Sequence, residues 1–158
     1  MDGSEPHRRA GPHRVLAVAS SGGHWVQLRR LVPAFDGHDV AYLTTDAGHG
    51  PEVAPARFHT VNDANRSNKL ALVRSALKIL WVIVRERPDV VVSTGAAPGY
   101  VAIRLGKLFG ARTVWIDSVA NVEELSLSGR MASAKADLCL TQWPHLATGS
   151  VAYMGTVL

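Results

Sequence analysis

Short, unbroken apolar runs recur along the chain at Val15–Ala19, Val40–Thr44, Val90–Ser93, Thr113–Ile116 and Leu138–Thr141. A strand with one face in water alternates apolar and polar residues, whereas a strand covered on both faces reads as a continuous run. Helical patterns separate most of these runs, at His24–Phe35, Ser67–Arg87, Gly99–Phe109 and about Glu123–Lys135. Strands alternating with helices specify an α/β chain with a Rossmann-like, doubly wound parallel sheet. Phe58–Val61 reads as a short additional strand and Thr45–Ala56 as a loop. Ser67 is placed to cap the second helix, Pro88 to stop it and Gly110 to close the third.

A single domain is expected over residues 14–158, with residues 1–13 as a disordered tail. A chain of 158 residues can remove roughly two-thirds of its unfolded surface from water. Its 47% hydrophobic and 19% charged residues exclude global disorder. The tail lacks the apolar core of a signal peptide. The longest purely apolar run, Ile79 to Val84, is far short of the ~20 residues that span a bilayer. Membrane contact is therefore expected to be peripheral. A lone cysteine, Cys139, excludes an internal disulfide and reads as a packed small hydrophobe.

In an open parallel sheet, ligands lie at the carboxyl ends of the strands. Ser20-Ser-Gly-Gly-His24 joins the first strand to a helix there. Its exposed backbone N–H groups, with the positive end of the helix, suit a phosphate or diphosphate. Ser20, Ser21, Gly22 and Gly23 are candidate acceptor-binding residues, and His24 acts either as a general base toward a sugar hydroxyl or as a hydrogen-bond donor to phosphate. Thr94-Gly-Ala-Ala-Pro-Gly99 is a second small-residue loop before a helix, giving Thr94, Gly95 and Gly99 as further candidates. Asp117 and Ser118 follow the fifth run: Asp117 orients a hydroxyl or stabilises charge on a donor sugar, or else it caps a turn.

The helix at Ser67–Arg87 carries an apolar stripe at Leu70, Val73, Leu77, Leu80 and Val84, expected to face the core, with Leu72, Ile79, Trp81 and Ile83 widening the apolar arc. Arg66, Lys69, Arg74, Lys78, Arg85 and Arg87 surround it. Either this is a buried helix with a solvated basic face, or it lies on an anionic bilayer with Lys69, Arg74, Lys78 and Trp81 in contact.

Several chemistries are excluded by pattern. There is no G-x-G-x-x-G fingerprint, no G-x-S-x-G elbow and no H-E-x-x-H helix. Gly106-Lys107 lies inside a helix and is followed by Leu108 where a phosphate loop needs Ser or Thr. The seven histidines lack ligand spacing, so no metal and no cofactor are expected. The 17 Lys and Arg against 13 Asp and Glu suit an anionic partner, but no basic run interleaves with aromatics, which argues against nucleic acid.

Taken in order, Ser20-Ser-Gly-Gly-His24, Ser93-Thr-Gly95, Trp115-Ile-Asp-Ser118, Leu125-Ser-Leu-Ser-Gly129, Ala136-Asp137 and Gln142-Trp-Pro144 resemble the asparagine-linked glycosylation protein fourteen family. The family pattern often has Glu where Asp117 stands and Arg where Asn121 stands. The resemblance implies the N-terminal half of a GT-B glycosyltransferase, acting as the acceptor-side, membrane-associated subunit of a split hexosyltransferase. It implies a separate donor-binding subunit that brings the UDP-sugar, and a polyprenyl-diphosphate-linked sugar as acceptor. Placement at the cytoplasmic face of the cell membrane and inactivity without the partner follow from it, as does a role in polysaccharide or lipid-linked oligosaccharide synthesis. The chain is also similar to the corresponding half of the peptidoglycan enzyme that glycosylates an undecaprenyl-diphosphate sugar. The alternatives are a self-contained nucleotide- or nucleotide-sugar-binding domain and a non-catalytic membrane adaptor.

Overall fold

A computed structural model describes residues 11–63 and 68–157. Seven strands form one parallel sheet: β1 (Arg14–Val18), β2 (Asp39–Thr44), β3 (Arg57–Thr60), β4 (Val90–Ser93), β5 (Arg112–Ile116), β6 (Leu138–Thr141) and β7 (Val151–Tyr153). Their order is β3-β2-β1-β4-β5-β6-β7. The chain thus winds outward from β1 to β3, crosses back to β4 and winds the other way. The order reverses between β1 and β4, which brings the loops after those two strands together at one crest.

The helices are α1 (Gly23–Arg30), α2 (Gly50–Val53), α3 (Lys69–Glu86), α4 (Ala96–Leu108) and α5 (Leu127–Ser133). One face of the sheet packs under α3, α4 and α5, where Ile79, Val82, Ile83, Ala102, Ile103 and Ala132 meet Leu16, Leu43, Val91 and Trp115. The other face packs under α1 and α2 through Trp25, Leu28 and Val53, against Val15, Ala17 and Tyr42. Gly106 lets α4 settle on β4, since a Cβ there would lie 2.6 Å from a Val91 methyl.

Several boundaries differ from the sequence reading. The helix expected at His24–Phe35 ends at Arg30 and resumes as a 3-10 turn over Val32–Phe35. Pro33 explains the break, because it lacks the N–H and its ring collides with the carbonyl one turn earlier. The expected Thr45–Ala56 loop holds a 3-10 turn and α2, with the Asp46 carboxylate accepting from the Gly48 N–H. The expected cap Ser67 lies outside the described residues; Asn68 caps α3 by accepting from Ala71 N at 3.0 Å. The helix about Glu123–Lys135 is confined to α5, whose start Ser126 fixes by accepting from Gly129 N. Strand β7, three residues long, was not anticipated.

Helix α3 turns a different arc to the sheet than its apolar stripe predicts. Leu70, Val73, Leu77 and Val84, expected in the core, are 70%, 55%, 60% and 49% exposed. The sheet takes the neighbouring arc, with Ser75, Ile79, Val82, Ile83 and Glu86 buried. This helix has more apolar residues than one face requires, so periodicity alone could not say which arc the sheet covers.

At the opposite edge of the sheet from the crest, Arg14 and Asp89 tie β1 to the start of β4. The Arg14 backbone N–H donates to Asp89 at 2.9 Å and its guanidinium donates at 3.1 Å. The guanidinium and then the backbone N–H hold the Asp89 carboxyl down at about 2, from the ordinary 3.8. A carboxyl depressed in the folded state stabilises fully above its unfolded value, and that contribution is lost as pH falls through the folded value. The urea midpoint should therefore drop between about pH 4 and pH 2, and Asp89→Asn should flatten that part of the profile; a mutant profile parallel to wild type would contradict this.

Candidate functional site

The crest is built by a reciprocal pair of hydrogen bonds. His24, in the first turn of α1, donates from Nδ1 to the Thr94 carbonyl at 2.9 Å. The Thr94 hydroxyl donates in return to the His24 carbonyl at 2.7 Å. A carbonyl only accepts, so Nδ1 carries the proton and the neutral ring leaves its lone pair on Nε2. Gly95 stands against the ring: a Cβ there would lie 2.3 Å from Nδ1. Its φ of 140° adds a second reason for glycine, and the next residue, Ala96, is held at φ 66°, a left-handed conformation that a side chain rarely adopts.

The first loop is braced from the other side. Ser21 N donates to the Thr45 hydroxyl at 3.0 Å, and that hydroxyl donates to Ser21 Oγ at 3.2 Å. Gly22 has φ 77°, and nothing would meet a Cβ at Gly22 or Gly23 within 4 Å. Open space therefore lies over an exposed glycine pair, with Ser20 half-buried beside it. Ser20, Ser21, Gly22, Gly23, His24, Thr94 and Gly95 are thus brought to one place. Gly99 is not part of that surface. It is buried within α4, where a Cβ would fall on Ser93 Oγ and within 3.4 Å of Trp115, so its small size serves the packing of α4 on β4.

Asp117 and Ser118 also turn inward. Asp117 is 1% exposed. Its carboxylate accepts from Ser126 Oγ at 2.6 Å, Ser126 N at 2.9 Å, Asn121 Nδ2 at 3.1 Å and Trp115 Nε1 at 3.1 Å. Four donors occupy the oxygens expected to do chemistry, and the group instead fixes the segment between β5 and α5. Burial, then the nearby Asp117 charge, pushes the Cys139 thiol up to about 12, which leaves it protonated and unreactive.

Ser118 Oγ accepts from Gln27 Nε2 at 2.9 Å. Gln27 Oε1 accepts in turn from Gln142 Nε2 at 2.6 Å, and the same Gln142 nitrogen donates to the Asp117 carbonyl at 3.0 Å. These buried amides lock α1, which carries His24, to the loops after β5 and β6. Gln142 also accepts from Val157 N, and Arg30 donates to the Val157 carbonyl. The sequence reading missed Gln27 and Thr45. Gln27 had one signal: a polar residue on the arc that α1 buries, between Trp25 and Leu28.

The residues expected at a membrane lie on α3. Lys69, Arg74 and Lys78 are exposed, and Trp81 is 52% exposed with the Arg85 guanidinium 5.3 Å over its ring. With Leu70, Val73, Leu77 and Val84 they make an apolar stripe edged by cations. No helix among the described residues is long and apolar enough to cross a membrane.

The chain is similar to known proteins along most of its length. The family described as oligosaccharide biosynthesis protein Alg14 like matches residues 52–157. The UDP-N-acetylglucosamine transferase subunit ALG14 of Eremothecium gossypii is 28% identical over 171 residues, covering 88% of this chain and 76% of that protein. Among solved structures, MurG of Acinetobacter baumannii superposes with a TM-score of 0.74 at 14% identity, over 90% of this chain and 46% of its own. A UDP-N-acetylglucosamine 2-epimerase of Rickettsia bellii gives 0.69 at 13% identity, over 92% and 45%. The chain thus spans about half the length of these structures, and at such identities they establish the fold alone.

The burial of Asp117 sets an expectation for stability. Asp117→Ala strands the Ser126, Asn121 and Trp115 donors and should cost about 2–4 kcal/mol. That corresponds to a fall of roughly 5–15 °C in the thermal midpoint for a chain of this size; a fall within a degree of zero would show that the loop is held by other contacts.

Proposed function

The chain belongs to the Alg14-like family of oligosaccharide biosynthesis proteins, and from that premise we propose that it is the acceptor-binding subunit of a two-component, UDP-sugar-dependent glycosyltransferase. In this reading it works at the cytoplasmic face of a membrane, holding a polyprenyl-diphosphate-linked sugar while a separate subunit presents the donor. The junction of His24 with Thr94 and Gly95 carries the reading. It places a histidine with a defined tautomer between two small-residue turns, beside the open space over Gly22 and Gly23, at the reversal point of the sheet.

The chemistry follows from that geometry. The diphosphate lies against the turn at Ser20–Gly23, where the exposed backbone of Gly22 and Gly23 and the start of α1 favour an anion. The acceptor hydroxyl gives its proton to His24 Nε2 as its oxygen bonds to the donor sugar's anomeric carbon. The bond from that carbon to UDP breaks, and the diphosphate leaves with the electron pair. The resulting imidazolium keeps its Nδ1–H on the Thr94 carbonyl, so the ring takes up the proton without turning. Asp117, Gln27, Ser118 and Gln142 position these loops without touching the substrate.

The exposed stripe of α3 supplies the membrane contact in this proposal. Leu70, Val73, Leu77 and Trp81 enter the interface, while Lys69, Arg74 and Lys78 meet anionic headgroups at about 1 kcal/mol each.

His24→Ala should lower transfer to a lipid-linked acceptor by about 100- to 10,000-fold in the presence of the donor-binding subunit. Binding to that subunit and to vesicles should stay unchanged. Undiminished turnover would leave the chain as a non-catalytic adaptor. Leu70→Glu combined with Leu77→Glu should abolish co-sedimentation with phosphatidylglycerol vesicles without lowering the thermal midpoint, since these side chains are 70% and 60% exposed.

A further inference from the structure

The segment that follows β7 returns from the edge of the sheet to α1. It turns at Gly155, φ 109°, and reaches Val157, whose main chain is held at both ends. The Val157 N–H donates to Gln142 Oε1 at 2.9 Å. The guanidinium of Arg30, the last residue of α1, donates to the Val157 carbonyl at 2.9 Å. Both contacts lie beyond the sheet, which ends at Tyr153.

Gln142 is 2% exposed, so its amide has no solvent to turn to. A carboxamide has one end that accepts and one that donates, and main-chain groups fix which is which at each step here. The Val157 N–H holds Gln142 Oε1, while the Asp117 carbonyl holds Gln142 Nε2, which also donates to Gln27 Oε1 at 2.6 Å. The Val119 N–H, at 3.3 Å, holds the same Gln27 oxygen, and Gln27 Nε2 donates to Ser118 Oγ. The bonds therefore run in one direction from Val157 to α1. Gln27 lies three residues after His24, about one turn along the same helix. Withdrawing Val157 leaves a buried Gln142 oxygen without a partner, and an amide that moves to satisfy it lets go of Gln27.

We propose that the Val157 main chain is a positioning element for His24: seated on Gln142 and Arg30, it holds the amide relay in the one arrangement that keeps α1, and with it the His24 ring, against the Thr94 carbonyl. The effect on turnover rests on the reading of His24 as the base; the coupling itself is a property of the fold. Arg30 at the end of α1 and Gln27 within it both answer to Val157, so one residue grips the helix twice. The segment after β7 thus belongs to the machinery of the crest, although it lies about 130 residues along the chain from the histidine it serves.

The test is proton–nitrogen correlation spectroscopy of the histidine rings in the full chain, with transfer measured beside it at saturating donor-binding subunit. Wild type should show His24 as the Nδ1–H tautomer. Val157→Pro removes the N–H and should turn that pattern into an average of both tautomers. It should also lower kcat by about ten- to hundredfold, with the KM for a lipid-linked acceptor unchanged. Amide protection in β4 should stay at the wild-type level, and Val157→Ala, which keeps the N–H, should give the wild-type ring pattern. A wild-type His24 pattern in Val157→Pro overturns the coupling, as does a change that Val157→Ala reproduces or that comes with lost protection in β4. An averaged ring with undiminished transfer upholds the coupling and overturns His24 as the base. Gln142→Met keeps the length of the side chain, removes both ends of the amide and should reproduce the changes in ring and kcat; an unchanged ring there overturns the relay.

Discussion

The crest depends on the exchange of hydrogen bonds between His24 and Thr94. Two loops that leave the sheet at its reversal point would otherwise be independent βα connections, each free to choose its own course. The paired bonds of 2.9 and 2.7 Å join them, fix the ring's tautomer and demand glycine at the following position. The strain visible at Ala96 lies directly beside this junction, where surrounding contacts hold an unfavourable backbone angle in place. Bracing from Thr45 on one side and from the Gln27–Gln142 amides on the other ties the junction to the loops around it.

Much of this was legible in the sequence because it is local. Each apolar run became a strand, since a parallel strand buried on both faces needs nothing but apolar residues, and the small-residue loops fell at the strand ends where such sheets hold ligands. β7 was not legible, because Val151–Tyr153 is too short to give a pattern. Pro33 was legible in principle as a break, yet the apolar periodicity continued through it and concealed the change from α-helix to 3-10 turn. The burial of Asp117 could not be read from its neighbours, because the groups that claim its carboxylate are spread over residues 115, 121 and 126 and converge only through the fold.

The two arcs of α3 show a more general limit. Period and composition describe how many apolar residues a helix carries, whereas the sheet determines which of them it can cover. Here the sheet takes Ile79, Val82 and Ile83, and the remainder is left outward beside Lys69, Arg74 and Lys78. A single helix thereby has one face in the core and a second apolar face at the surface, so the outer face can change without disturbing the first.

The contacts at the crest also bear on how the chain folds. His24 meets a residue 70 positions away, Gln27 reaches Ser118 across 91, and Gln27 meets Gln142 across 115. Closing loops of that length is unfavourable until strands on both sides of β1 are already in register. The crest is thus a late product of assembly. No locally folding hairpin or helix pair carries a part of it, and it exists only once the sheet is complete.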